Sequence, residues 1–248
     1  MKLGIIQGRL SPPDEGWQET PTDWRKEFRL LDELGLNHVE WIVTDKPNPI
    51  FHQDVSEFRI NTICADVLVT KKIFESDFLR DNLVPICEAA RKNNIAAITI
   101  PLLEDSSVVD EDKRDAFLEK FLPIVDEYHD LYFSIEAELD PHDLLEIVEL
   151  RWNLYVTYDT GNTTSFGYDH DEALSLLGRH IDSVHLKDRT RSNETVKAFT
   201  GDTDFGFILA KLKEIGYDGL YSIQTCREEE GREVETIKKQ TKAFRSLL

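Results

Sequence analysis

Short apolar runs alternate with helix-patterned stretches roughly eight times along the 248 residues, and this beat narrows the fold more than any other feature. The runs fall at residues 2–6, 38–43, 61–68, 96–103, 131–135, 154–158, 181–184 and 220–223, and each breaks off at polar residues. Between them, apolar positions recur at helical spacing: Phe28, Leu31 and Leu34 before Gly35, then Leu79, Leu83, Ile86 and Ala90. The same spacing predicts helices over 110–127, 141–150, 171–177, from Thr203 or Asp204 to Ile215, and over 232–247. Strict alternation implies parallel strands joined by right-handed crossovers. About eight such units in ~250 residues is the arithmetic of a closed (β/α)8 TIM barrel, here one domain over 1–248. A doubly wound open sheet is the alternative. It would usually carry a glycine-rich phosphate turn after its first strand, and Gln7-Gly8-Arg9 is not one.

Composition enters through what it excludes. A formal charge of −19 opposes approach to polyanions, and no basic stripe offers itself to nucleic acid. No apolar run approaches the roughly 18 residues of a membrane span, and Met1 leads straight into a strand without a signal-peptide pattern. Cys64, Cys87 and Cys226 are odd in number and irregular in spacing, so neither a disulfide framework nor a zinc knuckle is expected. These features predict a cytoplasmic protein, with a homodimer as one option for assembly.

In a barrel the active site lies at the carboxyl ends of the strands. Read in order, those ends present Gln7 and Arg9, Glu40, Asp66, Glu104, Glu136 and Glu138, Asp159, His185 and Gln224. Converging acids repel unless a cation or protons neutralise them. Glu136, Asp159, His185 and Gln224 sit on strands five to eight, neighbours around half the barrel. Three oxygen ligands and one imidazole suit a single Mn2+, Co2+, Mg2+ or Zn2+.

The residues IIQGRL, CADV, SIEAEL, YDTGN, VHLKDR, TGDTDF and YSIQT, spread over essentially the whole chain, carry a family resemblance. The chain resembles the sugar phosphate isomerase/epimerase branch of the xylose isomerase-like TIM barrels. The resemblance implies one divalent metal ion, bound by a Glu, an Asp, a His and a second Glu on strands five to eight. The matching positions are Glu136, Asp159, His185 and Gln224. Two departures stand out. Asn162 occupies a place where many relatives have His, and Gln224 stands where the family usually has Glu.

The second departure bears on mechanism. Two-base epimerases of this superfamily use both glutamates on opposite faces of an enediolate, and an amide cannot take a proton at accessible pH. One base suffices for aldose–ketose isomerisation, and Glu136 is the candidate, with the metal stabilising the enediolate. Epimerisation would need a second base from Asp66, Glu104, Glu138 or Asp202. Arg9, Lys187, Arg189, Arg191 and Arg227 follow strand ends and are read as a local pocket for a phosphate or carboxylate. Thr200-Gly201 could add backbone donors, although Phe199 stands where relatives often have glycine. Trp17, Trp24 and Trp41 are read as pocket walls, Trp41 being best placed. His52, His142 and His170 are expected on the solvated surface, and residues 227–232 in a solvated turn. The expected substrate contacts are therefore Gln7, Arg9, Trp41, Asp66, Glu104 and Glu138, together with Asn162, Lys187, Asp188, Arg189 and Arg227.

The leading expectation is a metal-dependent isomerase or epimerase of a small sugar or sugar phosphate. A lyase or dehydratase on the same scaffold is the first rival. A three-zinc DNA-repair endonuclease would need several histidines at strand ends, where only His185 is found. A non-catalytic sugar-binding barrel is kept open by Gln224.

Overall fold

The computed structural model of the chain describes residues 2–12, 20–75 and 77–247. Eight parallel strands follow one another in chain order: β1 (Lys2–Ile6), β2 (Val39–Ile42), β3 (Ile60–Cys64), β4 (Ala97–Leu102), β5 (Tyr132–Ala137), β6 (Leu154–Asp159), β7 (Ile181–Leu186) and β8 (Leu220–Ile223). β8 pairs with β1 through the register Leu3 to Tyr221, which closes the barrel. The (β/α)8 fold expected from the sequence is the fold observed.

The helices are α1 (Trp24–Leu34), α2 (Phe78–Lys92), α3 (Glu111–Glu127), α4 (Pro141–Val148), α5 (Thr160–Phe166), α6 (His170–Leu177), α7 (Phe205–Glu214) and α8 (Glu233–Ser246). Aspartates start many of them. Asp110, Asp140, Asp169 and Asp204 each accept a first-turn backbone N–H, satisfying donors that no helical carbonyl can reach. Gly35 ends α1 in the left-handed conformation, φ 69°. α5 is absent from the sequence expectation. It arises because Asp159 accepts the Asn162 N–H and caps a helix directly at the strand end. β3 stops at Cys64 and gives way to a 3-10 turn over Asp66–Leu68, so Asp66 lies beyond the strand rather than within it. β7 runs two residues further than its apolar run suggests and includes His185.

Strand side chains alternate between two faces. Outward residues such as Ile5, Trp41, Ile98, Phe133, Val156 and Val184 join Leu31, Leu83, Phe121 and Leu209 of the helices in one core between barrel and helix ring. The barrel interior is different. Near its mouth Ile6, Ile42 and Cys64 form a small apolar cluster. Below it lies a buried polar layer of Glu40, Thr99, Ser134, Thr157, Ser183 and Ser222. Hydrogen bonds cross the lumen between these side chains, Thr157 to Ser134 at 2.8 Å and Thr99 to Glu40 at 3.2 Å among them. Small hydroxyl residues fill the lumen while satisfying one another, and they provide polar footing for the site above. Among the described residues no helix is long and apolar enough to cross a membrane.

Candidate metal centre

Glu136, Asp159 and His185 occupy inward-facing positions at the carboxyl ends of β5, β6 and β7. One ligand-type atom from each lies within 4.8 Å of the others. All three side chains are buried. Among the described residues Asp159 Oδ2 and His185 Nδ1 have no hydrogen-bond partner, and neither has Oε1 of Gln224, which follows β8 and is held by its own N–H to the Leu186 carbonyl. Buried polar atoms are nearly always paired. A nitrogen and two oxygens left open beside a buried glutamate fit a divalent cation, since coordination would satisfy every one of them. With a neutral imidazole and an amide, the two carboxylates would balance the ion's charge without exceeding it.

Glu40 supplies a part the sequence reading did not assign. Read there only as a strand-end acid, it lies inside the barrel, 1% exposed. Its two carboxylate oxygens are 3.1 and 3.0 Å from His185 Nε2. An imidazole whose Nε2–H is held this way turns Nδ1 toward Glu136, 3.5 Å from Oε2. A carboxylate behind a ligating histidine fixes both ring orientation and tautomer. The electrostatics follow from the same layout. Burial opposes charge on His185, but the carboxylates of Glu40 and Glu136 overcome it and hold the imidazolium well above its ordinary pKa. Burial pushes the Glu40 and Glu136 carboxyls up, and His185 brings both below the ordinary range. Asp159 is raised, first by burial.

Asn162 joins this cluster to the cations. Its amide nitrogen donates to Glu136 Oε1 at 3.0 Å, and its oxygen accepts from Lys187 Nζ at 3.3 Å and Arg189 Nη1 at 3.1 Å. Two cations on the oxygen fix which way the amide points. Lys187 Nζ also lies 3.5 Å from Asp159 Oδ2. Arg9, buried and donating through Nε to the Thr225 carbonyl, is brought down to about 10 by burial and by Arg227. Glu136, Gln224, Arg9, Lys187, Arg189, Asp66 and Glu104 all border one cavity of about 970 Å³. Glu104 does so with φ 54°, a left-handed backbone unusual for a residue with a Cβ.

Other expected contacts have partners within the chain. Trp41 is fully buried on the outer face of β2, packed edge-on against Trp24 at 5.1 Å and donating to Asn48. Strand alternation puts it opposite Glu40, so neither it nor Trp24 walls the pocket. Trp17 lies outside the described residues. Gln7 is buried, its oxygen accepting the Ile42 N–H and the Thr20 hydroxyl. Arg227 donates to the Gly8 and Ser11 carbonyls and ties the β1 loop to the β8 loop. Glu138 accepts the Glu104 N–H, and Asp202 accepts the Arg191 N–H.

Asp188 is also reassigned. It is fully buried and accepts the N–H groups of Thr200, Gly201 and Thr203. The backbone donors expected to cradle a substrate anion are thus occupied by this chain's own carboxylate. A Cβ at Gly201 would lie 2.3 Å from Asp188 Oδ1, which accounts for glycine there. His170 is half-buried rather than fully solvated. The Tyr158 hydroxyl meets its Nδ1 at 2.6 Å and the Thr164 hydroxyl its Nε2 at 2.9 Å. Glu27 on α1 escaped the sequence reading because it sits among apolar helix positions. Buried, it accepts the N–H groups of Gly8 and Leu10 and shapes the β1 loop.

The profile of the xylose isomerase-like TIM barrel family matches residues 7–247. An uncharacterised protein of Methanocaldococcus jannaschii is 38% identical over 91 residues, a stretch covering 35% of this chain and 31% of that protein. The structure of the IOLI protein with a bound zinc atom superposes with a TM-score of 0.77 at 17% identity, covering 99% of this chain and 98% of that one. A D-tagatose 3-epimerase-like protein gives 0.73 at 19% identity, covering 100% and 98%. At these identities the solved structures share the barrel.

Proposed function

The chain belongs to the xylose isomerase-like TIM barrel family, and from that premise we propose that it is a divalent-metal-dependent isomerase or epimerase of a small sugar or sugar phosphate. The observation that carries this reading is the buried Glu136–Asp159–His185 cluster, with ligand atoms within 4.8 Å and two of them without a hydrogen bond among the described residues. Those three residues and the Gln224 amide oxygen would hold the ion. When bound, it supplies Lewis acidity toward the carbonyl and hydroxyl oxygens of the substrate.

The chain's own residues do the rest. Glu136 removes the proton from the carbon beside the carbonyl and returns it to the carbonyl carbon on the same face, while the hydroxyl proton of the first carbon passes to the former carbonyl oxygen. The Asn162 amide on Oε1 keeps the Glu136 carboxylate in one orientation. Arg9, Lys187 and Arg189 give the cavity positive charge for substrate oxygens in a strongly acidic protein. Glu138 and Asp202 are engaged by backbone N–H groups, so a second base for epimerisation would come from Asp66 or Glu104, which border the cavity. Gln224 supports a second reading, sugar binding without turnover, because its amide cannot exchange a proton.

Elemental analysis of protein purified without chelator, followed by incubation of the Mn2+-loaded protein with aldoses and ketoses in D2O, separates these readings. One carbon-bound deuterium entering substrate or product, abolished by Glu136→Gln, is the expected result. Release of water would indicate a dehydratase. Absence of both stoichiometric metal and exchange would leave the binding role.

A further inference from the structure

The cavity that ends on Glu136 and Gln224 continues outward past the barrel mouth, over the turns that follow β3, to α2. There Phe78, Asp81, Asn82 and Pro85 border it. Their spacing of i, i+3, i+4 and i+7 makes one stripe of the helix. Leu79, Leu83 and Ile86 form a separate stripe, buried in the core. Phe78 and Pro85 are seven residues apart, about 10 Å along a helix axis. The arm along α2 is therefore longer than one pyranose ring. A volume of about 970 Å³ lies at the upper end of the roughly 300–1,000 Å³ that drug-sized ligands fill. A free hexose of roughly a dozen non-hydrogen atoms would leave most of such a space to water.

The chemistry of the arm selects its occupant. Phe51 and Phe78 are half-buried, packed against the core on one side and bordering the cavity on the other. Asp45 and Asp81 offer carboxylates, Lys46 and Lys72 ammonium groups. Two acids against two bases leave no net attraction for a phosphate, whereas Arg9, Lys187 and Arg189 gather at the floor. A neutral, amphipathic group fits. The C–H face of a sugar ring packs on the negative face of an aromatic ring, and its hydroxyls donate to carboxylates.

We infer that the arm binds a second glycosyl unit, so that the substrate is a disaccharide whose reducing-end sugar, the unit that opens to a free carbonyl, lies on the metal centre and whose glycosidic bond stays intact. The inference rests on the reading of the cavity floor as a metal-dependent sugar site. The Mn2+-loaded full chain should be titrated, by ligand-observed NMR, with glucose, galactose and mannose and with the reducing disaccharides cellobiose, maltose and lactose. At least one disaccharide should bind about tenfold tighter than its component monosaccharides. Phe78→Ala and Asp81→Ala should each remove most of that preference while Mn2+ affinity holds. Asp81 is exposed, so its variant keeps the test valid if the Phe78 variant folds poorly. Equal binding of disaccharides and their units, no disaccharide binding, or a preference that survives both substitutions would overturn the inference. Failure of the wild-type chain to bind Mn2+ would instead overturn the metal-dependent reading, and a disaccharide preference seen without metal would leave the arm standing.

Discussion

Substitution of Glu40 probes how the metal centre is held together, because Glu40 touches the site only through His185. Both its oxygens lie within 3.1 Å of Nε2, and the imidazole is 0% exposed, so solvent does not compete for that bond in the intact barrel. In Glu40→Ala the Nε2–H loses its acceptor, while the Thr99 hydroxyl that donates to Glu40 is left with the Thr157 hydroxyl at 3.3 Å. An orphaned buried donor costs about 1–3 kcal/mol. Loss of a carboxylate behind a ligating histidine typically lowers metal affinity about 10–100-fold, or about 1.4–2.7 kcal/mol. Glu40→Gln keeps the volume and one acceptor oxygen but drops the charge, so it should fall near the tenfold end, and Glu40→Ala near the hundredfold end. The assay is Mn2+ titration by calorimetry on chelator-stripped protein at fixed pH, with circular dichroism to show that each variant is folded. Affinities within about twofold of the wild type for both variants would refute the reasoning. They would mean either that the barrel wall alone orients His185 or that Nδ1 is not a ligand.

Three further outcomes are expected. Gln224→Glu adds a third carboxylate to the cluster and should tighten Mn2+ binding by about tenfold. An unchanged constant would place the Gln224 oxygen outside the coordination sphere. Asp188→Ala strips the acceptor from three backbone donors and should cost about 2–4 kcal/mol, read as a lower urea midpoint. Amide exchange at residues 200–203 should speed up at the same time, and intact protection there would count against the anchoring role. Burial holds His170 at about 4 against the ordinary 6.5, so the unfolded chain binds more protons between those values and stability falls as pH drops from 6.5 toward 4. The contribution is up to about 3 kcal/mol, and the fall of urea midpoints across that window should become shallower in His170→Gln, while His38, which burial also holds at about 4, keeps part of the slope. Glu27 acts with the opposite sign. Burial raises it to about 7 from 4.5, so its contribution is complete below 4.5 and lost as pH rises through 7.

The sequence alone carried the architecture, because eight apolar runs separated by helical spacing leave few folds open. It also singled out Glu136, Asp159, His185 and Gln224, since each sits where an apolar run ends and where a barrel puts its strand ends. What it could not supply was direction. β2 reads VEWI and is buried on both faces, so no polar alternation reveals that Glu40 turns into the lumen and Trp41 out toward α1. That choice depends on barrel closure, which brings Glu40 to His185 across 145 residues of chain. Asp188 and Lys187 show the same limit at closer range. Adjacent in the VHLKDR segment, both looked like substrate contacts, yet one reaches the Glu136 cluster through Asn162 and the other is spent on the 200–203 backbone. Residue type and spacing follow from local chemistry and are written in the chain. The partner that satisfies each buried polar group is a non-local fact, and only the closed barrel decides it.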